Sequence, residues 1–145
     1  MESPESTSRI SLAKTDFERL SHFRYRLRCF LRQSEDMCRA SGLTPLQYQL
    51  LLHLRGFTGR EWATVGELAE RLQAKHHGTV ALIDRCEEAG LVERRPGQGD
   101  RRRIEVHLLE EGARLAERIA KQHQPELHLL QDEFQLAGWL NQKPT

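Results

Sequence analysis

Five arginines crowd into residues 91–103 (Arg94, Arg95, Arg101, Arg102 and Arg103), against only Glu93 and Asp100. A guanidinium presents a rigid fork of donors that matches phosphate, so this cluster suits an acidic polymer better than a small substrate. Lys75, His76, His77 and Gly78 form a second polar group upstream. A lysine donates, a neutral histidine donates or accepts, and a glycine lets a backbone come close to a ligand. The chemistry these residues offer is recognition. No glycine-rich phosphate loop or nucleophile elbow is present, and no serine or cysteine is placed beside a histidine by a known motif, so an enzyme is not expected. Neighbouring histidines on a helix diverge, and no carboxylate or thiol stands at ligand spacing, so neither a metal nor another cofactor is expected.

The overall balance frames that cluster. The chain has 145 residues, with 38% hydrophobic and 30% charged, and a net charge of +1. That length fits one domain with its own core, and the composition fits a soluble, helix-rich protein. A local basic patch on a near-neutral chain is what docking on a polyanion requires, since only the contacting face must attract phosphates. Three widely spaced cysteines, Cys29, Cys38 and Cys86, argue against a disulfide framework and for a reducing compartment. No apolar run approaches the ~20 residues that span a bilayer, and residues 1–15 read as a disordered tail without a secretory signal. A cytoplasmic protein with no membrane partner is expected.

The elements that must position the basic residues follow from periodicity. Phe17, Leu20, Phe23, Leu27, Phe30, Leu31 and Met37 recur at helical spacing over 16–40, with four arginines in 24–32 on the same helix. Gly42 ends it. Thr44-Pro45-Leu46-Gln47 carries a capping box with proline at the first helical position, and opens a helix through Leu54. Trp62-Ala63 suits a short strand. Thr64-Val65-Gly66-Glu67 is a second capping box, starting a short helix through Leu72. After a brief turn another helix spans 76–89, with Thr79, Leu82, Ile83 and Cys86 on one face and Gly90 at its close. Residues 91–95 and the alternating Ile104, Val106 and Leu108 form a hairpin with a basic tip. Helical spacing returns from 109 through Ala113, Ala116, Ile119, Ala120, His123, Leu127, Leu130 and Phe134, and Pro125 is expected to kink or split this last segment. Two helices joined by a turn and followed by a basic hairpin give a mainly α fold, a winged helix-turn-helix at about 44–108. The outer helices, 16–40 and 109–138, carry apolar stripes that the small central unit cannot cover, and are expected to pair across a two-fold axis.

GELAERL (66–72), VALIDRCEEAGLVERR (80–95) and GDRRRIEVHLLEEG (99–112), preceded by GLTPLQYQLLLHL (42–54), resemble in order and spacing the multiple-antibiotic-resistance regulator (MarR) family. The resemblance covers about 17–125. It implies a single MarR-type domain over 16–145, a homodimer with one winged helix per subunit, and a transcriptional repressor binding a pseudo-palindromic double-stranded DNA operator. It also implies release by a small-molecule effector or by cysteine oxidation. Leu109 stands where the family commonly has a capping threonine, and Lys75-His76-His77-Gly78-Thr79 departs from the commoner Arg-Ser-Thr start of the recognition helix.

On that frame Lys75, His76 and His77 stand at the end of the helix that enters the major groove, with Gly78 close to phosphate and Ala81 and Arg85 nearer the DNA side. For Arg85, a phosphate contact and a pair with Glu88 stand as alternatives. The family match makes Asp100 and Arg102 a D-x-R pair, with Arg102 in a narrow minor groove and Asp100 orienting its guanidinium. Arg94 and Arg95 read as phosphate clamps, and Arg101 and Arg103 as further wing cations. Tyr25, His53, Phe57 and Trp62 are candidates for an effector pocket. Cys29 is the candidate redox thiol, because four arginines share its helix, although its surroundings lack the tyrosine partners of the sensing branch. Cys86 reads as core. The alternatives are a winged helix used only for protein interaction, a cysteine-based sensor, and an activator in place of a repressor.

Overall fold

The computed structural model describes residues 11–134, with side chains through residue 131. Its elements are α1 (Lys14–Ala40), α2 (Pro45–Gly56), β1 (Trp62–Thr64), α3 (Val65–Leu72), α4 (His76–Glu88), β2 (Val92–Pro96), β3 (Ile104–Leu108) and α5 (Glu110–Phe134). The helix expected from residue 16 starts at Lys14. There the Ala13 amide donates to the Asp16 carboxylate at 2.8 Å, an acidic group that also suits the positive end of the helix. Residues 1–10 of the expected tail and 135–138 of the expected last helix lie outside the described residues.

Both capping boxes form. Thr44 Oγ1 accepts from the Gln47 amide at 3.1 Å while Gln47 Oε1 accepts from the Thr44 amide at 2.9 Å. Thr64 and Glu67 repeat the exchange at 3.2 and 3.0 Å. Each box satisfies amides that a helix start otherwise leaves open. Pro125 does not split α5, which is continuous across it. Proline removes one backbone bond at a cost of ~3 kcal/mol, and burial of Ile119, His123 and Leu130 on either side favours keeping the helix whole.

The chain divides into two compact units. The first, Arg32–Pro125, holds the end of α1, all of α2 through β3, and the start of α5. Leu50, Leu51 and Leu54 of α2, Leu68 of α3, Ile83 of α4, Val92, Val106 and Ile119 are fully buried together. Trp62–Thr64 is a third strand beside the expected hairpin, giving an antiparallel sheet of order β1-β3-β2. Trp62 pairs with His107, Ala63 with Val106, and Arg94 with Val106 on the other side. Ala63, Val92 and Val106 face the core. The start of α5 is seated by Gly112, where a Cβ would run into the Leu91 carbonyl oxygen. Leu109, which has no capping hydroxyl, donates its own amide to that carbonyl at 3.0 Å.

The second unit comprises the described residues 11–31 and 126–134, the N-terminal part of α1 and the C-terminal part of α5. Phe17, Tyr25, Leu31, Leu127 and Leu129 are exposed there.

Candidate nucleic-acid interface

The turn between α3 and α4 sets the direction of the second helix. Gln73 ends α3 in the left-handed region at φ 51°, which is uncommon for a residue with a side chain. Its side-chain amide offsets part of that strain by donating to the Glu70 carbonyl at 2.6 Å, and the Ala74 amide donates to the Ala69 carbonyl at 3.0 Å. Lys75 then takes the N-cap position of α4, and no side chain caps the helix. Thr79 turns inward and donates its hydroxyl to the Lys75 carbonyl at 2.9 Å. Leu82, Ile83 and Cys86 share the buried face, while Lys75, His76, His77, Gly78, Ala81 and Arg85 are all exposed. Among the described residues Arg85 makes no ion pair, so the expected alternative of a pair with Glu88 does not form.

The wing loop is tied at its base and open at its tip. The Gly97 amide donates to the Arg103 carbonyl at 2.7 Å, and the Arg103 amide to the Asp100 carbonyl at 3.1 Å. A Cβ at Gly97 would crowd the Asp100 and Arg103 carbonyl oxygens, at 2.9 and 3.1 Å, so this closure needs glycine. Asp100 behaves differently from expectation. Its carboxylate accepts from the Arg102 backbone amide at 3.0 Å and does not hold the Arg102 guanidinium. A short acidic side chain reaches the amide two residues on more readily than a long side chain that points into solvent. Arg101 and Arg102 are exposed and have no carboxylate partner among the described residues.

Arg94 and Arg95 also depart from expectation. Side chains alternate along a strand, so neighbours in β2 point to opposite faces. Arg94 points toward α4, where its guanidinium donates to Asp84 at 2.6 Å and to Glu87 at 3.1 Å. Glu87 accepts the Arg94 backbone amide as well, at 2.9 Å. A guanidinium held by two carboxylates is a brace between α4 and the wing and not a free phosphate clamp. Arg95, on the other face, pairs with Glu93 at 2.9 Å and approaches His107 Nδ1 at 3.4 Å.

The expected pocket residues are divided between the two units. Tyr25 is exposed and belongs to the second unit. His53 is half-buried on α2, and burial, helped by Arg71, pushes its imidazole below the usual range. Phe57 lies under two guanidinium groups, Arg71 at 4.2 Å and Arg60 at 4.7 Å, and Arg60 also covers Trp62 at 4.3 Å. Arg60 is anchored in turn by Glu67, whose carboxyl it pulls down to about 2. A shallow cavity of about 400 Å³ does exist, but Gly66, Ala69, Glu70, Gln73, Ala74 and Lys75 line it. Cys38 and Cys86 are buried and their thiols are pushed up by burial, Cys86 to about 11, which leaves both as unreactive packing groups. Cys29 is half-buried. Sequence reasoning missed Arg60 and His107 as neighbours of Trp62, with Glu67 holding Arg60 and Glu105 holding His107; the alternation of β3 marks Glu105 and His107 as one face, but only strand pairing brings His107 to Trp62.

A helix-turn-helix whose second helix exposes a polar N-terminal end, followed by an antiparallel wing with a basic tip, defines a winged helix-turn-helix protein. Residues 41–103, which hold most of the winged helix, match the MarR family. Over 84 residues the chain is 33% identical to the HTH-type transcriptional regulator YsmB of Bacillus subtilis, covering 54% of this chain and 58% of that protein. The chain spans about half the length of the curated relatives it matches. A MarR family protein of Bacillus stearothermophilus superposes with a TM-score of 0.69 at 26% identity, over 83% of this chain and 82% of that one. A mutant of Escherichia coli MarR, with one cysteine replaced by serine, complexed with operator DNA superposes with a TM-score of 0.63 at 24% identity, over 78% of each chain. No described helix is long and apolar enough to cross a membrane.

Proposed function

We propose that this chain is a sequence-specific DNA-binding transcriptional regulator that represses as a cytoplasmic homodimer on a pseudo-palindromic operator. The observation that carries the reading is the joint exposure of two cationic groups on one winged helix. The uncapped start of α4 presents Lys75, His76 and His77, and the wing tip presents Arg101 and Arg102 without carboxylate partners. Open amides at a helix start favour a phosphate, and side chains of that first turn reach base edges in the major groove. The free wing arginines suit the minor groove beside it.

Two-fold symmetry is supported by Phe17, Tyr25, Leu31, Leu127 and Leu129, apolar side chains that a lone subunit leaves in water. Burying them against a second copy orients two winged helices about one dyad, and the half-sites then fall about one helical turn (~10 bp) apart. Selection of bound duplexes from random DNA by the full chain tests the function. Enrichment of one sequence with inverted half-sites at that spacing is expected. Recovery without enrichment would replace this reading with that of a protein-interaction module. Release by a small effector remains part of the proposal through the family likeness alone.

A further inference from the structure

Trp62 stands at the start of β1. Residues 103, 105 and 107 share the outer face of β3 and its lead-in, and the pairing of Trp62 with His107 sets the indole on that face. Its ring stacks on the His107 imidazole, with centroids 6.0 Å apart and planes 25° from parallel. Arg60 lies over the indole at 4.3 Å and Arg103 at 5.4 Å, both within cation–π reach. Two guanidinium groups on one ring would repel each other, but Glu67 pairs with Arg60, and Glu105, buried on this same face at 3.0 Å from His107, adds a second negative charge near Arg60. Arg103 is also the residue whose backbone closes the wing loop, through Gly97 and Asp100. The one wing-loop arginine with a side-chain anchor is therefore the one at the hinge of the loop.

We propose that Trp62 is a positioning residue for the wing: its indole fixes Arg103, and through Arg103 the direction in which Arg101 and Arg102 are presented to DNA. This rests on the DNA-binding reading. Without the indole, Arg103 samples its rotamers freely and the loop it closes loses a fixed side, so each binding event must order the wing first. Tryptophan serves here because its ring is the strongest of the aromatic faces for a cation, and phenylalanine is a weaker but shape-compatible substitute.

The test is a double-mutant cycle on the duplex that the wild-type full chain selects from random DNA, with Trp62→Leu, Arg103→Gln and the pair. Each single change is expected to weaken binding by about three- to ten-fold, the pair is expected to be no weaker than the worse single, and Trp62→Phe is expected to restore most of the loss. Arg103 is exposed, so Arg103→Gln leaves the fold in place, and Trp62→Phe covers the case in which Trp62→Leu folds poorly. Proton spectra of the free chain give a second readout. The Arg103 side-chain resonances are expected to carry a ring-current shift that Trp62→Leu removes. Additive losses in the cycle, or no ring-current shift on Arg103, would overturn the role of Trp62 and leave the DNA-binding reading standing. A wild-type chain that selects no duplex would overturn both.

Discussion

Arg94 and Arg102 belong to the same hairpin, are the same residue type and carry the same charge, yet the structure gives them opposite surroundings. Arg94 is half-buried between Asp84 and Glu87 of α4, while Arg102 stands at an open loop with only its backbone amide engaged. A guanidinium already paired with two carboxylates would have to give up those bonds before reaching a phosphate, whereas a solvated one gives up only water. Counting arginines therefore overstates the binding surface. What matters is which arginines lack a carboxylate, and the hairpin divides them into a paired base and an unpaired tip.

The largest expected effect breaks the tip. Arg102→Ala should weaken DNA binding strongly and lower the slope of log affinity against log salt by about one unit, since one phosphate-neutralising cation is lost. Thermal stability should not move. Equilibrium titrations at several salt concentrations, beside a melting curve, check both halves.

Arg94→Ala should give the reverse pattern. Removing the brace should destabilise the fold by about 1 kcal/mol, the scale of a partly exposed pair of salt bridges, and leave the salt slope where it was. A lost unit of slope in this variant would return Arg94 to the role of phosphate clamp.

Arg60 extends the paired class, and pH sharpens the point. Glu67 has its carboxyl lowered from an ordinary 4.5 to about 2 chiefly by Arg60. A depressed carboxylate contributes stability above its unfolded value, and the contribution is lost as pH falls from about 4.5 toward about 2. Glu67→Gln should therefore be less stable than wild type at neutral pH and show a flatter acid limb in urea melts over that window. The smallest effect belongs to Asp100→Ala. The carboxylate supports the loop backbone and not the guanidinium, so binding should fall less than in Arg102→Ala while the salt slope stays at or slightly above wild type.

Much of this was legible in the order of residues, and the rest was not, for a physical reason. Thr44 with Gln47 and Thr64 with Glu67 announce helix starts because capping is a contact three residues long. Thr79, Leu82, Ile83 and Cys86 mark the inner face of α4 because burial follows the helical period. The open end of that helix and the basic tip of the hairpin could be found in the same way. The partners of Arg94 could not, since Asp84 and Glu87 meet it only once β2 is folded beside α4. The stacking partner of Trp62, His107, arrives only through the pairing of β1 with β3. Asp100 matched a sequence pattern whose geometry, side chain to guanidinium, this loop does not adopt. Pro125 carried a local rule that burial along α5 outweighs.

The claim that the start of α4 and the wing tip bind DNA together is tested most directly by His77→Ala and Arg102→Ala, titrated on the selected duplex and on its single-base variants across a salt series. His77→Ala is expected to relax discrimination at one or two base pairs, by ~1–3 kcal/mol if a paired contact is lost, with a largely unchanged salt slope. Arg102→Ala is expected to lose about one unit of slope and to alter preference only at flanking positions. Wild-type affinity, discrimination and slope in both variants would contradict the account.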